Sequence, residues 1–403
     1  MSAWGRCRSD ARLGPFHALL SRESLRPSMI DTLRRVGRGL REDRFFQVLL
    51  LGLLVLSAVA PSRIPTYAAL VDWPTMAALT GLLALTQGLE LSGALNRLGH
   101  ALVAAMATER AAALVLVSAA ALLSTVLTND VALFVVVPLT LGVCRLARLQ
   151  ATPLIVFEAL AVNVGSALTP IGNPQNLFLW QLAKVPFGVF VWHLLPLVMA
   201  LMALLLLLTA LVFPGRPIQV HDEAAPLPLH RGLLAVSLGL YLPFLAATDL
   251  HHAGWAAAAV LAVFMVVRPA VLARLDWGLL LVFVLMFIDL RLLAGLDAVR
   301  HAMLALQLER PAHLFFAAIG ASQLVSNVPA AIALAEYTGD WRVLAYGVNI
   351  GGFGLMVGSL ANLIALRLSG DRRAWLLFHV YAIPALCVAA ALGYGLLFVA
   401  LPG

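Results

Sequence analysis

Residues 163–177, NVGSALTPIGNPQNL, align without gaps on residues 349–363, NIGGFGLMVGSLANL. Five of the fifteen positions are identical: Asn163/Asn349, Gly165/Gly351, Gly172/Gly358, Asn176/Asn362 and Leu177/Leu363. Each stretch interrupts an apolar run, 153–183 or 343–368, that is too long for one crossing of about 20 residues. Pro170, Gly172 and Pro174, set among amides, cannot continue a helix smoothly. The second run breaks around Gly351-Gly352 and at Gly358-Ser359-Leu360-Ala361-Asn362. Upstream of each lies another interrupted run. Residues 111–143 are broken by Thr128-Asn129-Asp130, and residues 314–335 by Ser326-Asn327-Val328-Pro329. Polar side chains are expensive inside a membrane, so asparagines recurring in register point to an internal duplication.

The composition supplies the setting. Of 403 residues, 62% are hydrophobic and 12% charged; a soluble domain carries about a quarter charged. The first 44 residues hold ten Arg and five acids, so 15 of the 47 charges fall there and the other 359 residues keep 32. So few charges cannot clothe a water-soluble surface. A soluble enzyme, a nucleic-acid binder and a disordered chain are excluded, and the fold class is an all-α polytopic membrane protein. Of the net charge of +7, the N-terminal segment contributes +5, which reads as a topology signal. Cys7, Cys144 and Cys387 are scattered and suggest neither a disulfide framework nor a zinc site. No signal peptide is expected, and Met29 is an alternative start, so residues 1–28 need not belong to the native chain.

Working outward, spans are expected over 46–60, 73–95, 187–213, 232–247, 255–267, 277–296 and 375–401, separated by polar loops that include 297–310. The interrupted runs 111–143 and 314–335 read as re-entrant hairpins. Arg110 flanks the first of them on one side and Arg145 and Arg148 on the other, which suits a hairpin entering and leaving on the cytoplasmic face. The organisation is then a basic cytoplasmic segment (1–44), a first membrane repeat (45–213), a cytoplasmic linker (214–231) and a second repeat (232–403). With the N-terminus cytoplasmic, the second repeat is inverted.

Inverted repeats with broken helices are the plan of secondary transporters. Half-helix N-termini favour an anion and bared carbonyls a small cation. Asn offers both a carbonyl oxygen and two donors. Asn129 with Asn176, and Asn327 with Asn362, are therefore expected to form two related ion pockets, with Gly172 and Gly358 allowing the sharp turns.

These same residues resemble the ion transporter superfamily, which contains arsenite permeases, sodium-coupled dicarboxylate and divalent-anion symporters, citrate–metal transporters and a sodium/proton antiporter branch. The resemblance covers roughly residues 45–400. It rests on Thr128-Asn129-Asp130, Gly172-Asn173-Pro174-Gln175-Asn176, Ser326-Asn327-Val328 and Gly358-Ser359-Leu360-Ala361-Asn362. In the dicarboxylate branch each hairpin tip reads Ser-Asn-Thr and contacts sodium and substrate carboxylates. Here the tips are Thr-Asn-Asp and Ser-Asn-Val, closer to the arsenite permease branch. The resemblance implies an elevator-like transport domain, a homodimer, and substrate and ion binding at Thr128, Asn129, Asp130, Gly172, Asn173, Asn176, Ser326, Asn327, Gly358, Ser359 and Asn362. Sodium would sit at Asn129, Asp130 and Gly172, and again at Asn327 and Gly358.

Other polar residues carry expectations of their own. Asp130 is a carboxylate at a hairpin tip, fit to coordinate sodium, to carry a proton or to cap the second arm. Glu158 is expected to snorkel to the cytoplasmic surface, Asp289 and Arg291 to reach the interface, and Glu336 to be solvated. Glu90 could face a water cavity. His193, His301 and His313 lack metal-ligand spacing, and no cofactor is expected beyond sodium or a proton as coupling ion. The leading function is secondary active transport of a small inorganic oxyanion or organic anion across a cytoplasmic (inner) membrane. Sodium/proton antiport and arsenite efflux remain alternatives within the superfamily. No Walker-type motif provides for ATP drive within the chain, which leaves a separate ATPase subunit open. An intramembrane aspartyl protease would need Asp130 and Asp289, but no Gly-x-Gly-Asp context exists. A channel is disfavoured by the paired hairpins. The partners are then lipid and a small-ion substrate, with no nucleic acid.

Overall fold

The computed structural model describes residues 37, 40, 43–103, 106–218, 227–371 and 373–400. Nearly all of the N-terminal basic segment, including Met29 and Cys7, and the middle of the linker lie outside the described residues. Among the described residues there are 19 α-helices and no strand. Six helices are long and apolar enough to cross a membrane. A seventh span results if α1 (Arg44–Val59) is joined to the segment Pro61–Leu70, against which it is bent by 119°.

Helix starts follow from local chemistry. After α2 (Tyr67–Leu70), α3 (Trp73–Leu91) opens where the Asp72 carboxylate accepts from the Thr75 N–H, satisfying a donor that a helix N-terminus leaves free. The helix α13 (Trp277–Ala294) opens the same way, with Asp276 accepting from Leu279. In both, the tryptophan that follows the aspartate donates its indole N–H five residues back, Trp73 to Ala68 and Trp277 to Leu272. The duplication therefore extends to the outer helices, through an Asp-Trp signature that the sequence reading passed over. The outer helices pack reciprocally: α3 lies against α10 (Arg231–Asp249) and α11 (Ala253–Val267), and α13 lies against α1.

Between them stand two copies of a hairpin and a broken helix. After α4 (Ala94–Val103), the first hairpin is α5 (Glu109–Val126) and α6 (Asn129–Ala147), parted by Leu127 and Thr128. The first broken helix is α7 (Ala151–Ser166) and α8 (Pro174–Ala183), followed by α9 (Phe187–Val212). Arg148, in the left-handed region at φ 55°, ends α6 and lets the chain turn straight into α7, so those two run antiparallel. Helix α5 runs parallel to α7: Ala121 lies against Gly165, and four residues further on the Thr169 hydroxyl donates to the Thr125 carbonyl, so both chains advance together. The arms α5 and α6 are therefore antiparallel, with the tip at the break.

The second half repeats this. After α12 (Pro269–Ala273), α13 and α14 (Asp297–Ala305) come the hairpin α15 (Pro311–Val325) and α16 (Asn327–Ala335) and the broken helix α17 (Trp341–Ile350) and α18 (Leu360–Ser369). The last helix is α19 (Ala374–Gly395). Gly351 meets Ser322 as Gly165 meets Ser124, and both serines lie five residues before the tip asparagine. The two broken helices cross antiparallel: the Thr152 hydroxyl at the start of α7 donates to the Asp371 carboxylate just past the end of α18, at 2.8 Å. One expectation needs correction. The polar loop 297–310 contains helix α14, none of whose residues is buried; its charges fall on an amphipathic surface helix, with Asp297 favourable in the first turn.

Candidate functional site

The centre of the molecule is a set of asparagines that cross between the halves. Asn163 and Asn349 occupy aligned places in the last turn of α7 and α17. Each donates its amide to the carbonyl four residues earlier, Ala159 at 3.1 Å and Ala345 at 2.8 Å. Each also donates to the opposite half, Asn163 to Asn362 Oδ1 and Asn349 to Asn176 Oδ1, both at 2.7 Å. Asn362 in turn donates to the Gly352 carbonyl, and Asn176 to those of Ala167 and Thr169. Asn173 starts α8 by accepting from the Asn176 N–H and donates to Ser166 and to Asn349 Oδ1. The carbonyls bared by each broken helix are thereby satisfied by carboxamides, where burial without a partner costs about 1–3 kcal/mol each.

This arrangement distributes the expected site residues unequally. Asn176 and Asn362 are fully buried (0% exposed) and their amides serve the opposite half and their own break. They brace the breaks, and among the described residues no hydrogen bond joins them to Asn129 or Asn327. The lattice residues Asn163 and Asn349 stood out in the sequence only as repeat identities.

The hairpin tips abut the breaks. The Asn129 N–H donates to the Gly172 carbonyl at 3.0 Å, binding the first tip to the first break. Asn129 is buried, and its side-chain oxygen accepts the Asp130 N–H. Asp130 lies in the first turn of α6, where the helix N-terminus favours a negative charge, and the Thr128 hydroxyl is its polar neighbour. Thr128, and not Asp130, occupies the N-cap position. At the second tip Asn327 is buried, and Ser326 holds a φ of +76°, a conformation that L-residues other than glycine seldom adopt. Gly358 and Ser359 close the second break, and the Ser359 hydroxyl is buried without a hydrogen-bond partner, as is Gln175 Oε1. Gln323, which the sequence reading did not single out, sits inside the second break and bonds to its backbone at three atoms.

Of the remaining acids, Glu158 and Asp289 depart from expectation. Glu158 does not reach the surface: it is 0% exposed and accepts a hydrogen bond from the Thr140 hydroxyl, because the middle of α7 is enclosed on all sides by helices. Asp289 is buried against Gly52 of α1. Arg291 forms an ion pair with Glu336 at 2.8 Å and donates to the Leu70 carbonyl, and Glu336 is exposed as expected. Glu90 accepts from Gln87. No group of three or more His, Cys, Asp or Glu among the described residues could hold a metal ion.

Around the tips the protein therefore offers carboxamides, hydroxyls, a carboxylate and helix ends, with the His379 imidazole accepting the Met356 N–H at the edge of the second break. No Lys, Arg or His occurs between Arg110 and Arg145, between Arg148 and Lys184, or between His313 and Arg342. Such a surface suits a small, oxygen-rich solute and a desolvated cation.

Comparison with known proteins agrees with this architecture. Residues 45–345 match the family described as citrate transporter. An inner membrane protein, YbiR, of Escherichia coli (strain K12) is 46% identical over 362 residues, spanning 90% of this chain and 97% of that protein. A protein of Methanocaldococcus jannaschii described as an uncharacterized transporter is 32% identical over 250 residues, 61% of this chain and 68% of its own length. A shorter match, 36% identical over 88 residues, covers 22% of this chain and 18% of the silicon efflux transporter LSI3 of Oryza sativa subsp. japonica.

Proposed function

The chain belongs to the citrate transporter family, a multi-pass membrane transporter family, and on that premise we propose that it is a secondary active transporter of a small oxyanion or organic anion. Transport is driven by a sodium or proton gradient across a cytoplasmic membrane, with the N-terminus on the cytoplasmic side and the protein working as a homodimer. The observation that carries this reading is the meeting of two hairpin tips with two broken helices that the crossing asparagines lock together. Broken helices at such a site present half-helix ends to a solute and its coupling ion. Sodium at the first tip would be held by Asn129, Asp130 and the Gly172 backbone; Asp130 is also the group that would carry a proton in an antiporter. The repeat suggests a related position at Asn327 and Gly358.

A second reading has its own support. With no Lys or Arg at the hairpin tips or in the breaks, the site suits an undissociated, polyhydroxylated acid as well as an anion neutralised by a cation. The relative named as a silicon efflux transporter and the Thr-Asn-Asp tip favour such a substrate, with efflux as the direction.

Purified protein in proteoliposomes tests both readings. Labelled citrate, arsenite and germanic acid (a tracer for silicic acid) are presented under an imposed sodium or pH gradient. Gradient-driven accumulation of one of them is expected. Asn129→Ala and Asn327→Ala should each lower it at least tenfold while leaving the melting temperature close to wild type. Full transport by both variants would remove the tips from the site.

A further inference from the structure

Helices α10 and α11 are joined by only three residues, 250–252, and pack against each other. The start of α10 and the end of α11 therefore reach the same membrane face, the one that carries the linker. There they enclose an open crevice of about 540 Å³. Its walls include His230, Arg231, Gly232 and Leu233 on one side and Val267 and Arg268 on the other. Three of the lining side chains are basic and none is acidic. Other arginines of this face have structural partners: Arg97 donates to the Leu227 carbonyl and Arg110 to that of Phe213. Among the described residues, Arg231 and Arg268 form neither an ion pair nor a side-chain hydrogen bond.

The backbone adds to the same charge. Helix α10 opens without a side-chain cap and without an acid in its first turn, whereas Asp43 closes the start of α1. Among the described residues, the Gly232 and Leu233 N–H groups have no acceptor. Such donors carry the positive end of the helix dipole and favour an anion. A Cβ on Gly232 would meet nothing within 4 Å, so the approach to them is open. Directly beside the charges the surface is apolar. Met265 and Val266 are exposed at the end of α11, Val266 by 84%, and Leu238 and Leu242 are exposed along α10.

We propose that this crevice binds the phosphate of an anionic phospholipid in the linker-side leaflet, with Arg231 and Arg268 on its oxygens and the acyl chains against α10 and α11. A guanidinium meets two phosphate oxygens with parallel hydrogen bonds, and basic pockets at helix ends are suited to lipid head groups. A zwitterionic head group would bring its own ammonium against the two guanidiniums. A free phosphate would satisfy the same donors but leave Val266 and Leu242 uncovered, so the apolar flank selects a lipid.

The test titrates purified full-length protein in detergent with phosphatidylglycerol and reads bound lipid by native mass spectrometry. Wild type should bind phosphatidylglycerol more tightly than phosphatidylcholine of the same chains. Arg231→Gln combined with Arg268→Gln should weaken that binding by about tenfold or more, since each arginine near the surface attracts an anionic lipid. Either single variant carries the same comparison if the double variant does not purify as one species. Arg145 and Arg367, in the last turns of α6 and α18 on the same face, supply the control: Arg145→Gln with Arg367→Gln removes equal charge and should leave the affinity close to wild type. Equal losses in the two double variants would overturn the inference by making the attraction one of net charge. Equal affinity of wild type for the two lipids, or unchanged affinity in the Arg231 and Arg268 variants, would overturn it as well. Glycerophosphoglycerol, the head group without chains, should fail to displace the lipid at equal concentration; displacement would assign the crevice to a soluble phosphate and contradict the lipid reading.

Discussion

Asn163 and Asn349 each use one amide to hold two partners, one on their own helix and one contributed from nearly 200 residues away. Removing such a group leaves the opposite asparagine oxygen buried without its donor, at about 1–3 kcal/mol. Asn163→Ala should therefore lower the melting temperature measurably. Asn163→Ala combined with Asn362→Ala should cost clearly less than the sum of the two single changes, since the pair shares one bond; strict additivity would mean that the bond contributes nothing. Sequence spacing pointed to these asparagines as a repeat and placed the expected ion pockets at Asn176 and Asn362, the residues they bond across the halves. Hydrogen-bond partners 173 and 199 residues apart leave no trace in local pattern. Glu158 failed for a related reason. Distance from a helix start suggested the surface, and only the helices packed around α7 make that position interior.

At the scale of the element, the breaks were legible because their causes are local. Clustered prolines and glycines break α7 and α17, and an asparagine adjoins each hairpin tip, whereas the single prolines Pro138, Pro196, Pro243 and Pro384 stay inside helices. Helix α14 was missed because a charged stretch between spans looks the same whether it coils or forms an amphipathic surface helix. The close approach of hairpin and broken helix was foreshadowed only by the aligned glycines. Gly165→Ala would drive a methyl to 2.0 Å from the Ala121 carbonyl oxygen, which belongs to backbone. Gly351→Ala meets the Ser322 Cβ at 2.4 Å and Oγ at 2.5 Å; a rotamer change moves the hydroxyl but not the Cβ, which is fixed to the backbone. Overpacking costs about 1–3 kcal/mol where the neighbour cannot yield. Thermal melts should therefore show a substantial loss for both Gly165→Ala and Gly351→Ala; a melting temperature close to wild type for either would mean that its helix contact can yield.

Across the whole molecule, the outer helices hold each hairpin by a few polar ties. The Tyr241 hydroxyl donates to the Val126 carbonyl at the end of α5. On the other half, Arg291 pairs with Glu336, and the Tyr337 hydroxyl donates to the Ala294 carbonyl at 2.5 Å. If the hairpins and broken helices move as a body against the outer helices, these ties must open in each cycle. A partly exposed ion pair contributes about 0.2–1 kcal/mol. Glu336→Gln should accordingly raise the maximal transport rate by up to about fivefold where this opening limits the cycle, measured as initial uptake into proteoliposomes; a rate below wild type would assign the pair to the working state instead.

The central claim is that two broken helices, one from each half, lie antiparallel and joined as a single body. In a background with Cys7, Cys144 and Cys387 replaced by serine, Thr152→Cys and Asp371→Cys place thiols at the start of α7 and just past the end of α18, where the native side chains touch. Oxidative cross-linking of this pair should be rapid and near complete, and the cross-linked protein should still transport. Absence of that cross-link, with a bridge forming instead between Thr152→Cys and Leu360→Cys at the other end of α18, would contradict the antiparallel arrangement on which the site depends.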